Sequence, residues 1–490
     1  MKKLSFIIII ALFPFGCSLD QLPSDGLVNE SLSQNYEGLL AATDGNYSML
    51  KDYITYDGSL DARNAWVRQF HQLSEFPSDN VMLSGSTTDP LFFAFTREHF
   101  ATMFNTAYVW YISYKAINGT NQIIDALGED LDDSSRQLLG ENYFLRAYMH
   151  LGLLKLFALP YTHGVDNPGI VLKTSLLDEP EEARSTVGQC YDQIESDLLK
   201  AEELMNDYRG AAYANKAAAQ ALLSRIYLHM ERWQDAIDYA DLAIGDDQFE
   251  LETRDNYVNS FWNASQSSEA MFYVAHLLQD DKGFGAIGSM YLTDQSQGWG
   301  EIYPSETLRN ILEANPDDVR NDFIKPDYDV DGVTVKQRNG YPKYFITKFS
   351  YQDDVVTLNS PQMIRLSEVY LNKAEALAHL GQNEPAITIV NSMRTRAGLS
   401  GTALYADASD LKGFASVLEV VLNERRIELA WEGFRVLDLI RNKMDIDRSY
   451  PGVHLEQGES TQIIPWDDAR NIYFIPANEV LNNPKVVQNP

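Results

Sequence analysis

"NKAAAQALLSRIYLHMERWQDAIDYADLAI", residues 215–244, carries the pattern on which the fold turns. Tyr227, Ala236 and Ala243 follow one another at intervals of nine and seven residues, the spacing of packing positions in a tetratricopeptide helix pair. Small side chains there let two antiparallel helices approach closely. A single pair cannot bury its own apolar face, so further pairs must stack on it.

A second pair fits residues 361–398, with Gly381 at the turn and Ala386 in the second helix, on a less regular spacing. Upstream, "SSRQLLGENYFLRAYMHLGLLKLF" opens with Ser134 three residues before Gln137, a capping-box pattern, and Thr186 stands in the same relation to Gln189. Cys190 begins that second helix beside Tyr191 and Ile194, which predicts a buried structural cysteine. Residues 35–51 and 98–127 also recur at three and four. The fold class expected is predominantly α: a tetratricopeptide-like superhelix, with an irregular, loop-rich subdomain containing short strands.

That subdomain is expected over 247–360, between helical regions at 31–246 and 361–490. It is rich in Gly, Asp, Asn, Ser and aromatics, has strand-like pieces such as "EAMFYVAHLL" and "YFITKFS", and is too long for an ordinary loop. Rigid helices commonly present such loops for binding, so ligand contacts are expected there.

The amino terminus reads as an export signal. Lys2 and Lys3 precede an apolar run over 4–12 broken only by Ser5, and the stretch closes on Gly16-Cys17. The run is too short to cross a hydrocarbon layer of about 30 Å. Residues 1–16 are expected to be removed, Cys17 to be lipidated and 17–30 to form a tether; Pro14 and Phe15 depart from the small or branched aliphatic residues usual before such a cysteine. Cys190 would then be the one remaining thiol, so packing rather than an intrachain disulfide must hold the fold.

The formal charge of −31, from 70 Asp and Glu against 39 Lys and Arg, repels a nucleic-acid backbone and disfavours strongly anionic ligands unless basic side chains cluster locally. Many of the 27 Tyr and 7 Trp must be core, but these rings can also face a partner while keeping a polar handle, which favours a binder.

Signatures of chemistry fail on inspection. Gly283, Gly285 and Gly288 spell GxGxxG, but no convincing helix follows, so an exposed glycine-rich loop is expected instead of a nucleotide site. Asp327, Asp329, Asp331 and Gly332 start a calcium-loop pattern that ends on Arg338 where a glutamate is required; "YDVDGVTVKQ" reads better as an Asp-Gly hairpin. The eight histidines show no HExxH spacing and no GxSxG elbow occurs, so neither a metal, a cofactor nor a serine nucleophile is expected. A glycosidase needs two facing carboxylates, a separation no sequence reports, which leaves an enzyme as an open alternative.

Longer stretches resemble the SusD/RagB family of outer-membrane nutrient-binding lipoproteins: "RLSEVYLNKAEALAHLG" followed by "VNSMRTRAGL", then "LNERRIELAWEGFRVLDLIR" and the ending "IPANEVLNNPKVVQNP". "WYISYKAINGTNQII" and "LRAYMHLGLLKLFALP" agree with it in the first half, and Cys17 sits where the family's lipid anchor belongs. The resemblance implies four tetratricopeptide-like pairs, an oligosaccharide ligand held without chemistry, and a TonB-dependent, SusC-like outer-membrane transporter as partner. A peptide ligand or a purely structural role beside the transporter is the competing reading. The signature residues Arg365, Glu368, Glu375, Glu424, Arg425, Glu428, Trp431, Glu432 and Arg435 mix charges in a way that suggests an interhelix network more than a site.

Sugars stack on aromatic faces while polar side chains bind their hydroxyls. Trp66, framed by Asp61, Arg63, Asn64 and Arg68, and Trp299, between glycines and near Asp294, Gln297 and Tyr303, are therefore the leading candidates, with Trp262 and Tyr291 behind them.

Overall fold

The computed structural model describes residues 36–58, 65–85, 89, 91–127, 131–457 and 462–490. Cys17, the export signal, the tether and the candidates Asp61, Arg63 and Asn64 lie outside the described residues.

The frame is built from α1 (Tyr36–Ser48), α2 (Trp66–Glu75), α3 (Phe104–Ala126), α4 (Asp133–Phe157), α5 (Val187–Leu204), α6 (Lys216–His229), α7 (Trp233–Ile244), α8 (Leu366–His379), α9 (Asn383–Arg396), α10 (Val417–Glu428) and α11 (Arg435–Arg441). From α3 to α9 each helix packs on the next, and α8 also packs on α10. The helical class expected from the spacing is therefore what the chain adopts. The step from α7 to α8 is made across residues 245–365, so the superhelix continues past the irregular region as if it were an insertion.

Local chemistry starts these helices. Thr186 and Gln189 form the expected capping box, with the Gln189 N–H donating to Thr186 Oγ1 at 3.2 Å and the Thr186 N–H to Gln189 Oε1 at 2.9 Å. Asn215 Oδ1 accepts the Ala218 N–H at 2.9 Å and starts α6. At α4 the expectation fails: Asp132, not Ser134, is the cap, accepting the Ser135 N–H at 2.7 Å. A carboxylate placed two residues earlier also meets the positive end of the helix dipole, which a serine hydroxyl does only weakly.

The turns of the α6–α7 and α8–α9 pairs superimpose residue for residue. Met230 (φ −82°, ψ 0°) matches Leu380 (−81°, 3°), and Arg232 (−85°, 69°) matches Gln382 (−84°, 66°). Between them stand Glu231 at φ 59° and Gly381 at φ 71°. Ala236 and Ala386, four residues beyond Arg232 and Gln382, are both fully buried. The second pair is thus as regular in space as the first.

One hydrophobic cluster takes in residues from Leu50 to Val486, including Met271, Ile302 and Phe349 of the inserted region. Short antiparallel pairs stitch that region to both halves: Val81–Leu83 with Ile302–Pro304, and Ala270–Tyr273 with Gln362–Arg365. Within it Ile324–Pro326 pairs with Tyr344–Ile346. The Asp-Gly segment is the expected hairpin, with Asp329 N–H to Thr334 C=O at 2.7 Å and Gly332 at φ 69° in the turn. Its carboxylates are spoken for locally: Asp327 by Lys336 and Lys343, Asp331 by the Val333 and Thr334 N–H groups. The GxGxxG stretch is not a fully exposed loop. Gly285 and Gly288 are buried, and a Cβ at Gly288 would lie 2.1 Å from the Phe349 carbonyl, so close backbone packing accounts for that glycine. Cys190 is buried, as expected, with its thiol pushed up to about 11 by burial.

The charged signature residues lie inside. Glu368 takes Arg225 bidentately at 2.6 and 2.7 Å, joining α6 to α8. Glu375 takes Arg441 at 2.6 and 2.8 Å, joining α8 to α11. Glu424 binds Arg320 at 2.7 Å and Arg394 at 3.0 Å; Arg435 grips Asp79 at 2.8 and 2.9 Å, while Trp431 Nε1–H donates to the Asn80 carbonyl at 3.3 Å. These contacts cross between helices and the inserted region, so their role is to fix register and not to touch a ligand.

Candidate functional site

An open groove of about 840 Å³ lies in the inserted region between the short helix Tyr257–Trp262, the strand Ile324–Pro326 and the segment 347–354. The helix supplies it through its periodicity. Tyr257 and Phe261 turn inward and are buried, leaving Asn259, Trp262 and Asn263 on the groove side. The Asn263 amide donates to Asn259 Oδ1 at 3.0 Å, and the Asn259 amide to Asn256 Oδ1 at 3.1 Å, a ladder at helical spacing.

Trp262 is fixed at both ends. Its Nε1–H donates to the Thr347 carbonyl at 2.9 Å, and its ring stands 5.1 Å from that of Tyr351 at 65°. The Tyr351 hydroxyl donates to Asp294 Oδ2 at 2.8 Å, and Lys325 Nζ donates to both Asp294 Oδ2 and the Tyr351 oxygen, each at 2.8 Å. Hydrogen bonds from Lys325 and then Tyr351 hold the Asp294 carboxyl below its ordinary value. Partial burial works to lower Lys325, but the Asp294 and Tyr351 contacts outweigh it and raise the amine, so the two charges cancel at neutral pH.

Backbone strain collects around this triangle. Of the 12 non-glycine residues at positive φ among the described residues, five lie here: Gln295 (48°), Ser296 (64°), Tyr351 (68°), Asp353 (51°) and Asp354 (62°). Each costs about 1–2 kcal/mol for an L-residue, and such strain gathers where function over-determines the backbone. Asp294 and Gln297 close the first turn by reciprocal backbone bonds of 3.0 and 2.8 Å, with Gln297 exposed.

Two residues past that turn stands Trp299, 52% exposed and in edge contact with Phe284, itself 46% exposed, at 4.8 Å and 61°. Gly298 and Gly300 make this possible, as expected: a Cβ on Gly298 would meet the Leu292 carbonyl at 2.1 Å, and both glycines are at positive φ. The indole is left facing outward.

Other candidates fall elsewhere. Trp66 is fully buried, stacked on Phe70 at 4.6 Å, with Nε1–H donating to Ser113 Oγ at 2.8 Å, so it has no face to offer a sugar. Arg68 is buried on the same helix and reaches Asp89 at 3.3 Å. Tyr291 is buried against His71, with a 2.9 Å contact between hydroxyl and Nε2, and Tyr303 is buried against Phe345. These four candidates are interior side chains, because polar neighbours in the chain do not imply a solvent-facing ring: every residue of α2 is buried, as are Tyr291 and Tyr303. Asp294, Trp262 and Trp299 remain at the surface. Tyr351, Lys325, Asn259 and Asn263 were not foreseen; the three- and four-residue spacing of Asn256, Asn259 and Asn263 was the available signal.

Residues 329–490 match the family model described as "SusD family". The chain is a SusD-family protein. A second model, described as "Starch-binding associating with outer membrane", matches residues 46–228 of this SusD-family chain. It is 26% identical to the "SusD-like protein P2" of Formosa agariphila, an alignment covering 100% of this chain and 98% of that one. Among solved structures it is similar to a SusD superfamily protein from Bacteroides thetaiotaomicron, at TM-score 0.81 and 27% identity over 93% of this chain and 100% of that one. It also shares the fold of a "Laminarin binding SusD-like protein", at TM-score 0.69 and 22% identity over 93% and 99%. Among the described residues no helix is long and apolar enough to cross a membrane, and no three His, Cys, Asp or Glu cluster as metal ligands.

Proposed function

We propose that this SusD-family chain captures oligosaccharides at the surface formed by the Trp262–Tyr351 groove and the Trp299–Phe284 pair. Cys17 anchors it by lipid to the outer membrane, facing outward, and the ligand passes uncleaved to a TonB-dependent transporter of the SusC type. The observation that carries this reading is the pairing of rigidly held, accessible rings with amides and a charge-neutral Asp294–Lys325 pair in an open groove. Rings take the C–H face of a sugar, while amide and carboxylate groups take its hydroxyls. Support for the ligand class comes from the starch-binding description of the matched model and from the laminarin-binding neighbour.

The test is calorimetric titration of residues 18–490 with a panel of malto-, laminari-, cello- and other oligosaccharides, with chromatography of the same samples. Saturable binding with intact ligand supports capture. Cleaved ligand would make the chain a glycosidase, and silence across the panel would turn attention to peptides or to the transporter alone.

A further inference from the structure

The groove's charge is as specific as its shape. Asp322, Asp353 and Asp354 line it and are exposed, and none of the three has an ion-pair partner among the described residues. The one cation on the lining among the described residues, Lys325, is already matched by Asp294. Asn259, Asn263, Asn321, Thr347 and Tyr351 add polar surface without charge. Among the described residues the site thus presents three uncompensated carboxylates and no free cation to an incoming ligand. Two of them follow an anchored residue: Asp353 and Asp354 sit on left-handed backbone at φ 51° and 62°, one and two residues beyond the buried Gln352, whose amide donates to the His276 carbonyl at 2.7 Å.

We infer that the groove sorts glycans by charge, accepting amine-bearing and neutral oligosaccharides and rejecting those that carry uronate or sulfate groups. This rests on the glycan-capture reading and adds to it the ligand class. The physical basis is repulsion, at contact distances, between ligand anions and three carboxylates that no protein cation offsets, within a screening length of about 10 Å at 0.1 M salt. Selection against a wrong ligand by unpaired like charge is an economical source of specificity, because the neutral ligand loses nothing.

The probes share one backbone and differ in charge: hexamers of chitin (neutral), chitosan (amine) and cellouronate (carboxylate), titrated in mildly acidic buffer while Trp262 and Trp299 fluorescence is followed. The expected order of affinity is chitosan, then chitin, then cellouronate, with the outer two separated by at least about tenfold. That separation should collapse at about 1 M salt, where screening shortens to about 3 Å. The triple variant Asp322→Asn, Asp353→Asn, Asp354→Asn changes exposed side chains, and its far-ultraviolet circular dichroism and unfolding midpoint verify the fold. It should level the chitosan and cellouronate affinities. Cellouronate binding as tightly as chitosan, chitosan binding that the triple variant leaves unchanged, or no response to chitosan would each overturn the charge proposal. Failure of capture itself reads differently: there the neutral panel gives no binding, while chitosan can still bind and lose that binding in the triple variant.

Discussion

Arg365 Nη1 donates to Glu428 Oε1 at 2.8 Å in the interior, where Arg396 and Arg320 reach the same carboxylate at 2.7 and 3.2 Å. Burial alone would raise the Glu428 carboxyl; the three guanidinium groups reverse that and hold it well below the ordinary range. The arrangement brings together the residue that precedes α8, the helices α9 and α10, and the inserted region around one anion. Replacing Glu428 with Gln leaves three buried cations short of a partner, so a loss of roughly 3–5 kcal/mol in urea unfolding is expected. Glu313→Gln, which breaks the exposed Arg309–Glu313 pair at 3.1 Å, should cost about 0–1 kcal/mol. Equal costs for the two variants would mean that the interior cluster around Glu428 holds the fold no more strongly than a surface pair does.

The matched turns give a second prediction. Glu231 and Gly381 occupy equivalent left-handed positions, but only glycine adopts that conformation without strain. Glu231→Gly should therefore stabilise the protein by about 0.5–1 kcal/mol, the relief of strain being partly offset by a more flexible unfolded chain. Gly381→Ala should destabilise it by about 1 kcal/mol. Thermal unfolding of the two variants should thus shift in opposite directions, and a shared direction would contradict the equivalence of the turns.

Helix pairing could be read ahead of the structure because tetratricopeptide packing depends on small residues at fixed intervals, and Ala236, Ala243 and Ala386 keep to them. The charged signature could be read as structural because carboxylates and arginines at helical spacing find each other across helices. Exposure could be read at Trp299, where flanking glycines announced an unusual backbone, and was misread at Trp66. There the one described polar neighbour, Arg68, lies on a helix whose Gln69, Gln72 and Glu75 are buried with it. The Asp294–Lys325–Tyr351 triangle depends on contacts 31 and 57 residues apart, and positive φ at Gln295 or Tyr351 leaves no mark in residue type. Nothing local encodes either.

Exposed and buried tryptophans should separate binding from folding. Trp299→Ala removes a half-exposed ring with few stabilising contacts, so stability should change by less than about 0.5 kcal/mol while oligosaccharide affinity falls at least about tenfold, near 1.4 kcal/mol. Trp66→Ala opens a cavity beside Phe70 and strands Ser113, and should cost about 3–5 kcal/mol with the affinity of the folded fraction unchanged. Calorimetric binding alongside urea unfolding checks both. A Trp299 variant that binds normally would remove that ring from the site.

Two carboxylates at the end of α2 give opposite pH dependences. Burial pushes Glu75 up to about 7, only partly countered by the Gly433 N–H at 2.7 Å and the Ser78 hydroxyl at 3.0 Å. Asp79 feels the same burial, but Arg426 and Arg435 outweigh it and bring the carboxyl down to about 2. In the unfolded chain the two titrate near about 4.3 and 3.9. The folded state therefore binds the Glu75 proton more tightly, and that stabilisation is complete below about pH 4.3 and disappears as pH rises through about 7. For Asp79 the folded state prefers the anion, so its stabilisation is complete above about pH 3.9 and disappears as pH falls towards about 2. Glu75→Gln keeps both hydrogen bonds, with the amide oxygen accepting from Gly433 and the NH₂ donating to Ser78. It should remove a decline on the order of 3 kcal/mol between about pH 4 and 7. Asp79→Asn should remove the acid-side slope and, by leaving Arg435 unpaired, lower stability near neutrality by roughly 3–5 kcal/mol. Urea unfolding across a pH series measures both slopes, and a Glu75→Gln variant that still weakens from about pH 4 to 7 would assign the proton to another group.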